Sequence, residues 1–343
     1  MSLYTAGRWI GFLVFLALVP MANGAELPFT QFVVFGDSVS DTGNVPQTGV
    51  NGANPPPAYT ANRYTDGPDT VPSTQIQGVW HEQLATDVSK PIAAPSTAGG
   101  TNFAYYGAVT YGEDRTYLSL QTQVNNYLGL GQASANSLYL FWGGANDITS
   151  VAPSTNVNAY TSAAANAVQN IQAQIGQLYN AGGRNFLWVN LPSFDKVPSG
   201  IRASTAVQAG LAAGSQTFNA DYAAALTQLK QQYPLITITR VDAFTLFNDM
   251  INNPGNYGFT NVTDNARADY LAGNTTLNPD QYLFWNDDHM TTAADKYIAQ
   301  NAADALAATY ATPPAAAAPE PESLALLGAG FTLLGLLRLR KSR

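Results

Sequence analysis

The chain has 343 residues, 46% of them hydrophobic, and a net charge of −8 at pH 7. That apolar content can bury a large core and excludes a wholly disordered chain, while the acidic excess argues against a nucleic-acid partner. There is no cysteine, so disulfides, thiolate nucleophiles and cysteine-ligated zinc are excluded.

At the N-terminus, Arg8 precedes an apolar run from Ile10 to Val19, which Pro20 ends and the small residues Ala22 and Gly24 follow. This order predicts a secretory signal peptide over residues 1–24, the apolar run being far shorter than the roughly 20 residues that span a bilayer. Residues 26–311 read as one domain in which short apolar runs alternate with longer helical patterns, the signature of a parallel sheet covered on both faces by helices. Four runs predict strands: FVVFG (32–36), LYLFWGG (138–144), NFLWVNL (185–191) and LITITRVD (235–242). Between the second and third, Ala164, Val168, Ile171, Ile175 and Leu178 recur at steps of three and four, and Gly182-Gly183 closes that helix. Phe218, Tyr222, Leu226 and Leu229 repeat the pattern until Pro234 stops it, and a last helix runs from Thr291 to about Tyr310. Residues 45–76, rich in Gly, Pro, Asn and Thr, show no sustained period. They predict a long surface loop near the C-terminal end of the first strand, where open α/β sheets hold their ligands.

Histidine is the usual general base at neutral pH, and the chain has two, His81 and His289. His81 lies in GVWHEQLATDV, where Val79, Leu84 and Val88 mark a helix on the sheet; His81 and Glu82 are expected on its polar side, with a structural role. His289 lies in YLFWNDDHMTT, at a polar break between an apolar run and the last helix, which predicts a loop at the sheet's C-terminal edge. Far upstream, FGDSVSDTGN turns from apolar to polar at Ser38. A serine at such a strand-to-helix junction can be a nucleophile or a plain helix N-cap, and taken alone it reads first as the cap.

Together with TNFAYYGAVT (101–110) and FWGGANDI (141–148), these segments stand in the order of four motifs of the GDSL esterases and lipases, within the SGNH-hydrolase superfamily. The chain resembles that family over about 280 residues. The resemblance implies a single three-layer α/β/α domain with a mainly parallel, flavodoxin-like sheet. It also implies ester hydrolysis with no metal or organic cofactor. Carried onto this sequence, it makes Ser38 the nucleophile and His289 the base, with the N–H groups of Ser38 and Gly107 and the side-chain amide of Asn146 as the oxyanion hole. Acyl transfer needs such a set: a hydroxyl, a group to take its proton, and donors aimed at the developing oxyanion. Asp37 and Asp147 are expected to orient backbone, and Trp142 and Trp285 to pack. The Gly-x-Ser-x-Gly elbow of ordinary α/β-hydrolases is absent from the chain.

The last motif departs from the family's Asp-x-x-His-Pro: Asn286 stands three residues before His289, Asp287 and Asp288 adjoin it, and Met290 replaces the proline. Three readings stay open. Asn286 orients the imidazole through its carbonyl oxygen without supplying charge; or the backbone shifts so that Asp287 or Asp288 does so; or the site is a dyad or inactive. The last leaves a non-catalytic surface protein that binds polysaccharide or lipid.

The chain ends in an Ala/Pro linker (312–322), an apolar stretch from Leu324 to Leu337 and the basic cluster RLRKSR. This layout resembles the PEP-CTERM sorting signal of Gram-negative bacteria, with Pro319-Glu320-Pro321 as the motif. The resemblance implies cleavage by a membrane-embedded sorting protease; the alternative is an anchor over residues 323–343 whose basic end stays cytoplasmic. Either way, the catalytic part is expected in the periplasm, on the outer surface or outside the cell, acting on esters of lipids or acylated carbohydrates. The association of such tails with polysaccharide production favours an acetylated polysaccharide.

Overall fold

The computed structural model describes residues 27–45, 62–66, 78–112, 118–131 and 133–311, and the compact unit they form is Leu27–Tyr310. The expected signal peptide, the linker and sorting tail, and most of the 45–76 loop lie outside the described residues. In chain order the elements are β1 (Gln31–Gly36), α1 (Trp80–Asp87), α2 (Leu120–Leu128), β2 (Ser137–Trp142), α3 (Ala145–Thr149), α4 (Val157–Asn180), β3 (Asn185–Val189), α5 (Pro198–Ile201), α6 (Thr205–Gln232), β4 (Thr237–Val241), α7 (Ala243–Asn252), β5 (Asn261–Asn265), α8 (Ala266–Leu271), β6 (Tyr282–Phe284) and α9 (Thr292–Tyr310).

The main sheet runs β1-β2-β3-β4 and is parallel throughout. These are the four strands expected, and β2 and β3 are buried along their whole length. Burial on both faces is why they read as unbroken apolar runs rather than as alternating ones. Successive side chains point to opposite faces. Trp142 meets Trp80 of α1 with ring centroids 5.4 Å apart, while Phe141 packs with Phe35, which meets Tyr127 of α2. Trp188, in register with Phe141, packs on Tyr222 of α6. One face thus carries α1, against which α9 packs, and the other carries α2, α4 and α6. This is the three-layer α/β/α arrangement.

Residues 101–105 add an edge that the sequence pattern did not announce. Val34 N–H donates to the Thr101 carbonyl (3.0 Å), Phe103 N–H to Val34 (2.8 Å) and Tyr105 N–H to Gly36 (3.1 Å), with a parallel bridge between Val34 and Asn102. Numbered along the chain, the spatial order becomes 2-1-3-4-5, the flavodoxin-like order, whose ligand crevice lies at the C-terminal ends of the strands around the first. A second, two-stranded parallel sheet pairs β5 with β6.

Two expectations need correction. His81 is fully buried and Glu82 nearly so, because the turn at Ser40 and the 101–105 edge close over His81 and Arg63 lies against Glu82. His81 Nε2 bonds the Ser40 carbonyl (2.9 Å), and burial holds its pKa below the usual histidine range; Glu82 pairs with Arg63. Its role is still a structural one. Nor does a helix follow Ser38: the chain makes one hydrogen-bonded turn, in which the N–H groups of Ser40 and Asp41 both donate to the Asp37 carbonyl (3.0 Å each). Asp41 takes the N–H groups that a helix would need, accepting from Gly43 (2.8 Å), Asn44 (2.8 Å) and Val45 (3.2 Å).

Candidate active site

Gly36 ends β1 against the Trp142 carbonyl, which would lie 2.5 Å from a Cβ at that position. The chain can therefore reach Asp37 and Ser38 while still flush with β2. From α2, the buried Gln123 side chain accepts from Gly36 N–H (3.0 Å) and donates to the Gly36 carbonyl (2.9 Å), so one amide serves as a strand partner just before the serine. The polar residues that follow tie in the 101–105 edge. Asp41 Oδ2 accepts from Tyr106 N–H (2.9 Å), and Asn44 Nδ2 donates to the Asn102 (2.8 Å) and Ala104 (2.9 Å) carbonyls. Next in the chain comes Gly107, whose φ of +72° is one that glycine adopts readily and other residues rarely do.

Asn146 enters from β2 through α3. Its Nδ2 donates to the Ala108 carbonyl (2.9 Å), which uses one of the two amide hydrogens and leaves the other for a ligand. Asp147 accepts from Thr110 N–H (2.9 Å) and Oγ1 (2.7 Å), locking the start of α3 to the loop that carries Gly107. Asp37 accepts from Val39 N–H (3.2 Å). Burial, reinforced by the charge of Asp147, pushes its pKa up to about 7 against that bond. Both aspartates hold backbone, as expected.

His289 sits in the loop between β6 and α9, 9% exposed. Its Nε2 lies 2.7 Å from Ser38 Oγ and its Nδ1 2.9 Å from Asn286 Oδ1. The same Oδ1 accepts from the backbone N–H groups of Asp288 (3.0 Å) and His289 (2.9 Å). Those two donors settle the amide's orientation, since a flipped side chain would set its NH₂ against them. Nδ1 therefore carries the hydrogen and donates, and Nε2 is left to accept from the serine hydroxyl. Of the three readings, Asn286 occupies the position facing the imidazole. Asp287 points to Arg202 (2.6 Å) and accepts from Asn265 Nδ2 (2.6 Å), and Asp288 accepts from Ser199 Oγ of α5. Burial pushes the imidazole pKa down to about 4, and the charge of Asp288 pulls it the other way. The base is neutral at ordinary pH.

The segment 62–66 contributes what sequence reading missed. Thr65 Oγ1 donates to the Met290 carbonyl (2.9 Å) and Asp66 accepts from Thr292 N–H (2.7 Å). These bonds hold the exit from His289 where the resembling family has a proline. Tyr64 and Tyr106 stack on each other (4.4 Å) and lie 5.6 and 6.5 Å from the imidazole, ring to ring. The only signal in the sequence was the polar, aromatic-dotted composition of the loop. Trp285 packs in a small cluster with Ala266 and Leu277, whereas Trp142 both packs and lines the site. Ser38, Gly107, Asn146 and His289 all border one cavity of about 390 Å³, and Asp37 and Asp288 line it too. A hydroxyl on a neutral imidazole, beside amide donors, is equipped for nucleophilic attack on a carbonyl carbon.

The profile of the GDSL-like lipase/acylhydrolase family matches residues 32–302. Among individual proteins, the chain is 24% identical over 342 residues to a phosphatidylcholine-sterol acyltransferase of Aeromonas hydrophila, covering 86% of this chain and 95% of that one. It is 27% identical over 290 residues to an acetylesterase of Thermothelomyces thermophilus, covering 80% and 87%. It is also 26% identical over 320 residues to an Arabidopsis thaliana protein named as an inactive GDSL esterase/lipase-like protein, covering 84% and 74%. Relatives of both kinds leave the arrangement of the site itself to decide what this chain does.

Proposed function

This chain belongs to the GDSL-like lipase/acylhydrolase family, and we propose that it is an exported serine ester hydrolase working through an acyl-enzyme on Ser38. The observation that carries the reading is the continuous chain of hydrogen bonds from Ser38 Oγ through His289 Nε2 and Nδ1 to Asn286 Oδ1. Ser38 Oγ attacks the ester carbonyl carbon as its proton passes to Nε2. The imidazolium that forms is held by Asn286, and the carbonyl oxygen, now negative, is met by the N–H groups of Ser38 and Gly107 and the free amide hydrogen of Asn146. The C–O bond to the alcohol then breaks, the leaving oxygen taking the proton from Nε2. Water, deprotonated by the same nitrogen, attacks the acyl-enzyme; the C–Oγ bond breaks, Ser38 Oγ takes the proton back from Nε2, and the carboxylic acid leaves.

Asn286 does the orienting part of a triad's third member, keeping the working tautomer, without the formal charge. Burial already makes Nε2 a free acceptor at neutral pH, so what the missing charge costs is stabilisation of the imidazolium rather than availability of the base. The reading of export rests on the Arg8, apolar-run and small-residue order at one end of the chain and on the Pro319-Glu320-Pro321 tail at the other. Cell fractionation and the mass of the mature protein check both export and removal of the tail by a sorting protease.

A fluorophosphonate probe should label the wild-type chain and not Ser38→Ala. Hydrolysis of p-nitrophenyl butyrate should fall by at least about 1,000-fold in Ser38→Ala and in His289→Ala. A wild-type protein as inert as those variants would instead support the non-catalytic binding protein.

A further inference from the structure

We infer that the cavity beside Ser38 receives the acyl part of the ester, and that it selects a chain of about six to ten carbons over acetyl. The inference deepens the reading of Ser38 as nucleophile and rests on it. Away from the catalytic groups, the cavity is walled by Trp142, Leu191, Phe194, Leu211, Phe247 and Phe284, all of them buried. They arrive from the end of β2, the segment that follows β3 with its 3-10 turn at Phe194–Lys196, the helices α6 and α7, and β6, so the apolar wall belongs to the assembled domain and not to one flexible loop.

Besides Ser38, Asn146 and His289, the polar side chains of the lining are Asp37, Tyr106, Thr149, Ser199 and Asp288. Asp37 already accepts from Val39 N–H, Thr149 Oγ1 donates to the Ala145 carbonyl, and Ser199 Oγ donates to Asp288. A sugar in such a space would lose its hydrogen bonds to water and find few replacements, which is costly for each hydroxyl. An alkyl chain loses nothing of that kind. A volume of about 390 Å³ has room for on the order of ten groups of water or methylene size. An acetyl group would fill a small fraction of it and leave the apolar wall uncovered. Each methylene transferred from water to such a wall favours binding about three- to fourfold. This opposes the expectation of an acetylated polysaccharide raised by the C-terminal tail.

The test is a series of p-nitrophenyl esters from acetate to palmitate with the alcohol held constant, run beside a series of alkyl acetates with the acyl group held constant. The expected result is a rise in kcat/KM of about three- to fourfold per methylene over the first additions. A maximum should fall between hexanoate and decanoate, and a decline should follow once the chain outgrows the cavity. The alkyl acetates should stay nearly flat. In Leu211→Trp, which fills the cavity from α6, the ratio of octanoate to acetate activity should drop at least about tenfold; Val207→Phe, filling it from the same helix, gives the same readout if the larger change disturbs folding. Fluorophosphonate labelling reports whether either variant keeps a formed site. An acyl series that is flat or best at acetate, or a length dependence that follows the alcohol instead, overturns the inference while leaving an enzyme that Ser38→Ala still inactivates. A series as inert as Ser38→Ala overturns the catalytic reading, and the inference with it.

Discussion

Ser38 and His289 meet at 2.7 Å, yet the two stand on different kinds of support. Ser38 leaves a central strand that is paired to β2 on one side and to the 101–105 edge on the other, and buried side chains of Gln123, Asp41 and Asn44 stitch those backbones together. His289 leaves a short strand of a two-stranded sheet. A few backbone bonds close its loop, the His289 carbonyl accepting from the Trp285 N–H (2.8 Å) and Met290 bridging back to Phe284. Single side chains supply the rest: Asn286 within it, Thr65 and Asp66 from one direction, Arg202 and Ser199 from the other. A backbone ladder spreads the loss of one contact over its neighbours, whereas an imidazole oriented by a single side-chain oxygen passes that loss directly to its own position. Changes near His289 should therefore appear mainly in kcat, and changes beneath Ser38 mainly in stability.

The sharpest test is at Asn286. Asn286→Leu removes the acceptor of Nδ1–H and of two backbone N–H groups; kcat should fall by about 10,000-fold, the loss associated with a wrong tautomer in a serine protease. Asn286→Asp keeps an acceptor for all three donors and adds a charge. It should raise kcat and shift the acid limb of kcat/KM to higher pH, since a carboxylate beside the imidazole favours its protonated form.

Next in size is Asn146→Ala, which removes a side-chain donor and should cost about 100- to 1,000-fold in kcat with little change in KM. Gln123→Leu probes the other support. It leaves the Gly36 N–H without that acceptor inside the core, so the midpoint of urea unfolding should drop by the equivalent of about 1–3 kcal/mol, with kcat of the folded fraction changed by less than tenfold. A larger effect on kcat than on stability would break the contrast between the two halves.

The smallest effect is electrostatic. Because burial holds the His289 pKa near 4, well below the usual 6.5, the base stays free as pH falls. The acid limb of kcat/KM should appear near pH 4 rather than 6.5. Asp288→Asn removes the negative charge that opposes this shift, so the limb should move to still lower pH, a displacement readable in a pH profile on the wild-type substrate.

Much of this was legible because burial writes itself into composition. Strands buried on both faces are apolar throughout, and α4 and α6 repeat their buried side at steps of three and four. What went unread has little apolar signature. The 101–105 edge is held by N–H groups, carbonyls and the amides of Asn44 and Asn102, and TNFAYY has neither the length nor the alternation of a strand. His81 read as solvent-facing because a helix pattern reports which side meets the sheet and is silent on whether the turn at Ser40 and the 101–105 edge cover the other. Segment 62–66 lies more than 200 residues from the loop it pins, and no local pattern links Thr65 to Met290.

By itself, then, the amino-acid order determined the layered parallel architecture and the four motifs with Ser38, Gly107, Asn146 and His289 in them, since hydrophobic period and motif order are local properties of the chain. Which of Asn286, Asp287 and Asp288 faces the imidazole was decided by the tertiary structure alone. Three adjacent polar side chains in a loop point in three directions, and their directions depend on distant partners. Arg202 and Asn265 draw Asp287 away, Ser199 draws Asp288 away, and two backbone N–H groups turn the Asn286 oxygen inward.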